Sequence, residues 1–196
     1  MTTSLFDLYK IGVGPSSSHT MGPMRAASRF ARGLAERGVL ERVARVRVDL
    51  YGSLALTGKG HATDRAVLLG LAGNEPATID PAVIEETIAL IRSNKKLALN
   101  GSVILLFDEA DTLFLHRDTM YPPGAKMQHP NGVRFTAYDS AGSEIEQSTF
   151  FSIGGGFIVQ DGVETSSTQA QDKKKVPLFF PPATALQESA HANELS

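Results

Sequence analysis

Residues 16–20 read Ser-Ser-Ser-His-Thr, inside the stretch GVGPSSSHTMGP, and residues 58–64 read GKGHATD. Each stretch sets one imidazole in a glycine-rich loop just ahead of a helical pattern. Histidine is the side chain whose ordinary pKa lies nearest neutrality, so His19 and His61 are both fit to take or give a proton. The hydroxyls of Ser16, Ser17, Ser18 and Thr20 are donors suited to a carboxylate or phosphate. The helix start behind them adds unpaired N–H groups and the positive end of a dipole. A plain N-cap in a polar loop uses one Ser or Thr and no histidine. The stretch therefore predicts a small-anion site with an imidazole beside it. SIGGGF, with Gly154, Gly155 and Gly156, adds backbone that a ligand can approach closely.

Two other chemistries are excluded. The histidines lie at 19, 61, 116, 129 and 191, and only His61 and Asp64 are spaced like a ligand pair, so no metal set is predicted. His116 and His191 read as structural or surface residues. VILLFDEAD resembles the Mg²⁺-binding strand of a nucleotide hydrolase, but that reading requires a phosphate loop of the form G-x-x-x-x-G-K-[ST]. In GSLALTGKG five residues separate Gly52 and Gly58, one too many, and Gly60 stands where the hydroxyl must be.

The elements that must position these residues belong to a chain of 196 residues, 42% apolar, with formal charge −2. A core of ordinary size can form, and a nucleic-acid footprint, which needs clustered basic excess, is not expected. No apolar run reaches the ~18 residues of a membrane span. MTTSLFDLYKIG lacks a charged region followed by an apolar stretch, which argues against a secretion signal. The chain has no cysteine, which fits a cytoplasmic protein and leaves no thiolate for a metal or cluster.

Residues 1–11 read as an apolar lead-in. From Pro23, residues Ala27, Phe30, Ala31 and Leu34 make one helical face, with Gly38 placed for a left-handed cap. ARVRVDLYG alternates as a half-buried strand. SLALTGKGHATD follows as a loop, then a helix over Asp64–Leu71. A third helix starts at Asp80 and Pro81 and carries Ile84, Ile88 and Ile91 to Asn94. SVILLF and TLFLH predict a hairpin around Asp108–Asp111. GVRFTAYD and EIEQSTFFSIGGGFIVQDG add three strands, the last two joined at Gly154–Gly156. ETSSTQAQDKKK reads as a linker into a helical pattern that stops without a cap. The expectation is an α+β fold, a mixed or antiparallel sheet with helices packed on it, over residues 1–160. Residues 161–196 would be a linker and the start of a connection to a further domain.

SLFDLYKIGVGPSSSHTMGPMRAA closely resembles the start of the iron–sulfur-dependent bacterial L-serine dehydratases. GSLALTGKGHATDRAVLLGLAG, HPNGVRFTAYD and FFSIGGGFIV resemble three further signatures in the right order, over residues about 4 to 160. The resemblance implies the β domain of an L-serine ammonia-lyase, with a 4Fe–4S cluster held by a cysteine-bearing α domain in cis or trans. It also implies a homodimer, L-serine as substrate and pyruvate and ammonia as products of amino-acid breakdown. His61 is then the base for the α-proton and His19 the second candidate. Ser16, Ser17, Ser18 and Thr20 would hold the substrate, joined by His129, Asn131, Ser152, Gly154 and Gly155. The family's kinship with effector-binding domains carries an alternative, a module that binds L-serine or a similar small anion without chemistry. A sensor needs the hydroxyls and no base, so the pair of histidines favours the enzyme.

Overall fold

A computed structural model describes residues 13–163. The predicted lead-in at residues 1–11, and the linker and terminal helical pattern from residue 164 on, lie outside the described residues.

A wide helical turn over Ser17–Met21 runs directly into helix α1, Gly22–Glu36. Pro23 occupies its first turn, where a missing N–H costs nothing. Met24, Ala27, Phe30, Ala31 and Leu34 form its buried face. The helix stops as predicted. Gly38, at φ 68°, takes the left-handed position, and the Gly38 and Val39 N–H groups bond to the Ala35 and Leu34 carbonyls.

Strand β1, Arg45–Tyr51, buries Val46, Val48 and Leu50 as its alternation requires. It is followed by α2, Gly52–Thr57, a tight helical turn at Gly58–His61, and α3, Thr63–Leu71. The predicted loop is thus mostly helical. Leu54 and Ala55 are buried there, and that packing overrides the glycine-rich composition. Gly52 is in the left-handed region at φ 52°, and a Cβ on it would meet the Pro130 and Met120 carbonyls at 2.5 and 2.6 Å. Asp80 caps a short turn at Pro81–Val83 through the Ala82 N–H at 2.9 Å. Helix α4, Ile84–Asn94, follows and buries the predicted Ile84, Ile88 and Ile91.

The predicted hairpin around Asp108–Asp111 does not form. SVILLF supplies β3, Val103–Leu106, which pairs antiparallel with β2, Lys96–Leu99, a strand the hydrophobic pattern left unmarked. Asn100 and Gly101, at φ 50° and 72°, make the turn between them, the residue pair such turns favour. Asp108 then caps a four-residue helix, α5, Glu109–Thr112. TLFLH becomes β4, Leu113–His116, which joins the other sheet parallel to β1. An acidic segment reads alike as a turn or as a helix cap, because both use the same side-chain-to-backbone hydrogen bond.

Strands β5, Gly132–Tyr138, β6, Glu144–Gly154, and β7, Phe157–Gln160, complete a five-stranded mixed sheet of order β4-β1-β5-β6-β7. All pairings but β1–β4 are antiparallel. Val48 lies opposite Phe135 in the register, and Phe135 stacks on Phe30 of α1 at 5.2 Å and meets Phe150 of β6 edge-on at 6.0 Å. One core therefore joins the helix layer to the sheet, the α+β arrangement expected. Asp49, on the other face of β1, is buried between the Arg47 guanidinium and His116 Nε2, the latter at 2.6 Å. Burial alone would raise its pKa; the hydrogen bonds from Arg47 and His116 outweigh that and hold it below the usual carboxylate value.

Candidate active site

The turn ahead of α1 and the turn behind α2 meet. His19 and His61 end with ring centroids 4.9 Å apart, tilted by 41°. The His19 ring is held at both nitrogens, Nδ1 by the Ser18 hydroxyl and Nε2 by the Ser53 hydroxyl, each at 2.9 Å. Burial, and then the proximity of His61, push its pKa below 6.5; a hydrogen bond from the ring to the Ser53 backbone opposes them without winning. His19 is accordingly neutral at pH 7, with one nitrogen donating and the other accepting.

His61 Nδ1 lies 2.9 Å from the Thr57 carbonyl. A carbonyl only accepts, so Nδ1 carries the hydrogen. In the neutral ring Nε2 then keeps its lone pair, the form a base requires. The residue after His61 is Ala62, at φ 56°, a left-handed conformation unusual for a side chain with a Cβ. That reversal opens α3 directly behind the imidazole.

The hydroxyl-rich stretch divides by role. The Ser16 side chain accepts the His19 N–H at 3.3 Å and lies 3.3 Å from the Ser18 hydroxyl. Ser17 is exposed. The Thr20 hydroxyl donates to the His61 carbonyl at 2.8 Å, and Thr20 is buried. The N–H groups of Thr20 and Met21 bond to the Ser16 carbonyl and that of Gly22 to the Ser17 carbonyl. Much of the donor set predicted for an anion is thus used to build the turn that presents His19.

The later signatures reach the same neighbourhood. The Ser53 N–H donates to the Pro130 carbonyl at 2.7 Å, which seats the His129–Asn131 loop against the residue holding His19. His129 Nδ1 accepts the Asn131 N–H at 3.2 Å, and its ring sits edge-on to Phe151. Asn131 and Ser152 are joined by two hydrogen bonds, one from the Asn131 side-chain Nδ2 to the Ser152 carbonyl at 3.1 Å and one from the Ser152 N–H to the Asn131 carbonyl at 3.0 Å. The Ser152 hydroxyl is buried with no partner among the described residues, pressed against Gly22, where an added Cβ would lie 1.9 Å from it. Gly154 and Gly155 have φ 95° and 58° in the β6–β7 turn. Arg25 of α1 donates to the Gly156 carbonyl at 2.6 Å, so the glycine turn is fastened to the same helix.

Three contributors escaped the sequence reading. Ser53 lay in a quoted motif, but nothing in its spacing separates it from its neighbours. The Thr57 carbonyl carries no side-chain signal. Thr63 reads as an ordinary loop residue just ahead of a helix. Its hydroxyl instead crosses to the His19 carbonyl at 2.5 Å.

A family model described as serine dehydratase beta chain matches residues 4–163. The chain belongs to the serine dehydratase beta chain family. It is 47% identical over 161 residues to an L-serine dehydratase of Streptomyces coelicolor, covering 82% of this chain and 34% of that protein. It is 45% identical over 193 residues to L-serine dehydratase 1 of Escherichia coli, covering 97% and 40%. A Mycobacterium bovis L-serine dehydratase is 44% identical over 186 residues, covering 95% and 39%. The chain thus spans little more than a third of the length of these family members. Among the described residues no group of three His, Asp or Glu gathers as a metal site, and no helix is long and apolar enough to cross a membrane. The 196 residues include no cysteine, so the donor set of this chain does not fit a 4Fe–4S cluster, which takes thiolates.

Proposed function

We propose that this chain is the β part of an L-serine ammonia-lyase, which converts L-serine to pyruvate and ammonia. The observation that carries the reading is the tautomer lock on His61. With Nδ1–H spent on the Thr57 carbonyl, Nε2 is the basic nitrogen, beside a second imidazole held neutral. The naming of the relatives as L-serine dehydratases supports it.

In the proposed reaction the Cα–H bond breaks and its proton passes to His61 Nε2. The Cβ–O bond breaks and the hydroxyl leaves, so that one water is lost overall and aminoacrylate remains. Its tautomer, an imine, takes up water to give pyruvate and ammonia. A positioned base contributes typically 10²–10⁴-fold to such a step. The neutral His19 ring leaves room for the charge that His61 acquires, because two rings 4.9 Å apart disfavour a second proton. Ser16, Ser17 and Ser18 face the small zwitterion, and His129, Asn131 and the Gly154–Gly155 turn close the side toward β6. Any 4Fe–4S cluster would take its thiolates from a cysteine-bearing α domain, in cis or trans. The assembly is proposed as a cytoplasmic homodimer.

The test is His61→Ala and His61→Gln in the enzyme assembled with its cysteine-bearing region. Turnover of L-serine should fall at least a hundredfold with the fold retained. Turnover within a few fold of the unaltered enzyme would end the assignment. Micromolar L-serine binding by this chain alone, measured by calorimetry with no turnover in the assembly, would favour the effector-binding module instead.

A further inference from the structure

We propose that Thr20 and Thr63 are positioning residues that set the spacing of the His19–His61 pair through a reciprocal clasp between the two backbones. The proposal rests on the reading of this pair as the reacting groups. Thr20 directly follows His19 and donates to the carbonyl of His61 at 2.8 Å. Thr63 stands two residues after His61 and donates to the carbonyl of His19 at 2.5 Å. Each loop thus holds the other loop's histidine by its own main chain.

Both threonines are shut away from solvent, at 2% and 0% exposure, so neither hydroxyl is a ligand group. Thr20 also forgoes the local bond that its position offers. A hydroxyl within a helical turn bonds readily to a carbonyl one turn back. Thr20 lies within the Ser17–Met21 turn, and Thr63 is the first residue of α3, one past the N-cap position held by Ala62. Each hydroxyl crosses to the opposite loop instead. The left-handed Ala62 stands between the His61 carbonyl and the Thr63 side chain, the two ends of the clasp on this loop.

The other bonds to the rings do not do this work. Ser18 and Ser53 hold the His19 ring, and the Thr57 carbonyl orients the His61 ring. Those contacts fix ring rotation. A single cross-link between two loops leaves a hinge, whereas two that run in opposite senses fix separation and rotation together. Loosening reacting groups by about 1 Å costs on the order of a hundredfold in rate, which sets the scale of the effect.

The test uses Thr20→Val, Thr63→Val, Thr20→Ser and Thr63→Ser in the 196-residue chain with ¹⁵N-labelled histidine. Ring-to-ring nuclear Overhauser effects between His19 and His61 report the spacing without any activity. The valine variants should weaken these at least threefold and, in the assembled enzyme, lower kcat at least tenfold while KM for L-serine stays within threefold. The serine variants, which keep the hydroxyl, should retain both. Valine variants with unchanged ring contacts would overturn the proposal. So would serine variants that lose those contacts, a result that stands even where a valine variant does not fold. If the ring contacts respond as stated while His61→Ala leaves turnover intact, the clasp survives and the base assignment falls.

Discussion

His19 sits partly buried beside a second imidazole, and both circumstances disfavour its charged form. Its folded pKa therefore lies below its unfolded value near 6.5. Between the two values the unfolded chain binds a proton that the native chain does not, so stability climbs with pH through that window and levels off above 6.5. Urea unfolding from pH 5 to 7.5 should show this slope, and His19→Gln should flatten it. A slope unchanged by His19→Gln would mean that the ring is not desolvated as described. At this scale the site was half legible. His19 and His61 stood out because an imidazole between glycines and hydroxyls has few structural uses. The division of labour among the hydroxyls did not, because residue type says what a group can donate and not where it points. Thr20 was read as a ligand donor, yet its bond goes to a carbonyl far along the chain. Thr63 and Ser53 matter only through partners that the fold brings to them.

Helices α1 and α3 pack so closely that a residue without a side chain is required where they cross. A Cβ on Gly70 would meet the Met24 carbonyl at 2.2 Å and the Ala27 Cβ at 2.7 Å. Gly70→Ala gains helix propensity of about 1 kcal/mol, but the backbone on the far side cannot yield, and the helices must separate. Overpacking of this kind costs about 1–3 kcal/mol, so the variant should be less stable in urea and should disturb the His61 turn at the head of α3. Gly33→Ala is the control. Its nearest neighbour is the end of the Arg37 side chain at 3.1 Å, which swings away, so stability should rise by up to about 1 kcal/mol. Elements with a regular period and a cap were legible. Helix α1 ended at Gly38, α4 buried its isoleucine stripe, and β1 alternated. The failures came where two structures share one local signal. Asp108 can open a turn or cap a helix, and only the availability of β2 and β1 as partners decided for the cap.

The molecule as a whole depends on Phe135, which touches α1 through Phe30 and β6 through Phe150. Phe135→Ala should cost about 3–5 kcal/mol, and the loss of far-UV ellipticity should coincide with the loss of the dispersed His19 ring signal. Separate transitions would show that the histidine turns and the sheet are not one cooperative unit. The α+β class followed from the mixture of periods, but the strand order did not, because pairing partners far apart in sequence leave no trace in local pattern.

That order also carries a consequence for how the protein is made. Among the described residues β1 pairs with β4 and β5, at residues 113–116 and 132–138. In a chain emerging from the ribosome Ser16–Thr20 and Gly58–Thr63 come before both of these partners, so the strand that spaces them stays unpaired until residues 113–116 have followed. Domains acquire non-local pairings only once both partners exist and the intervening loop has closed. The two histidines are thus made before the strand pairings that set them in place.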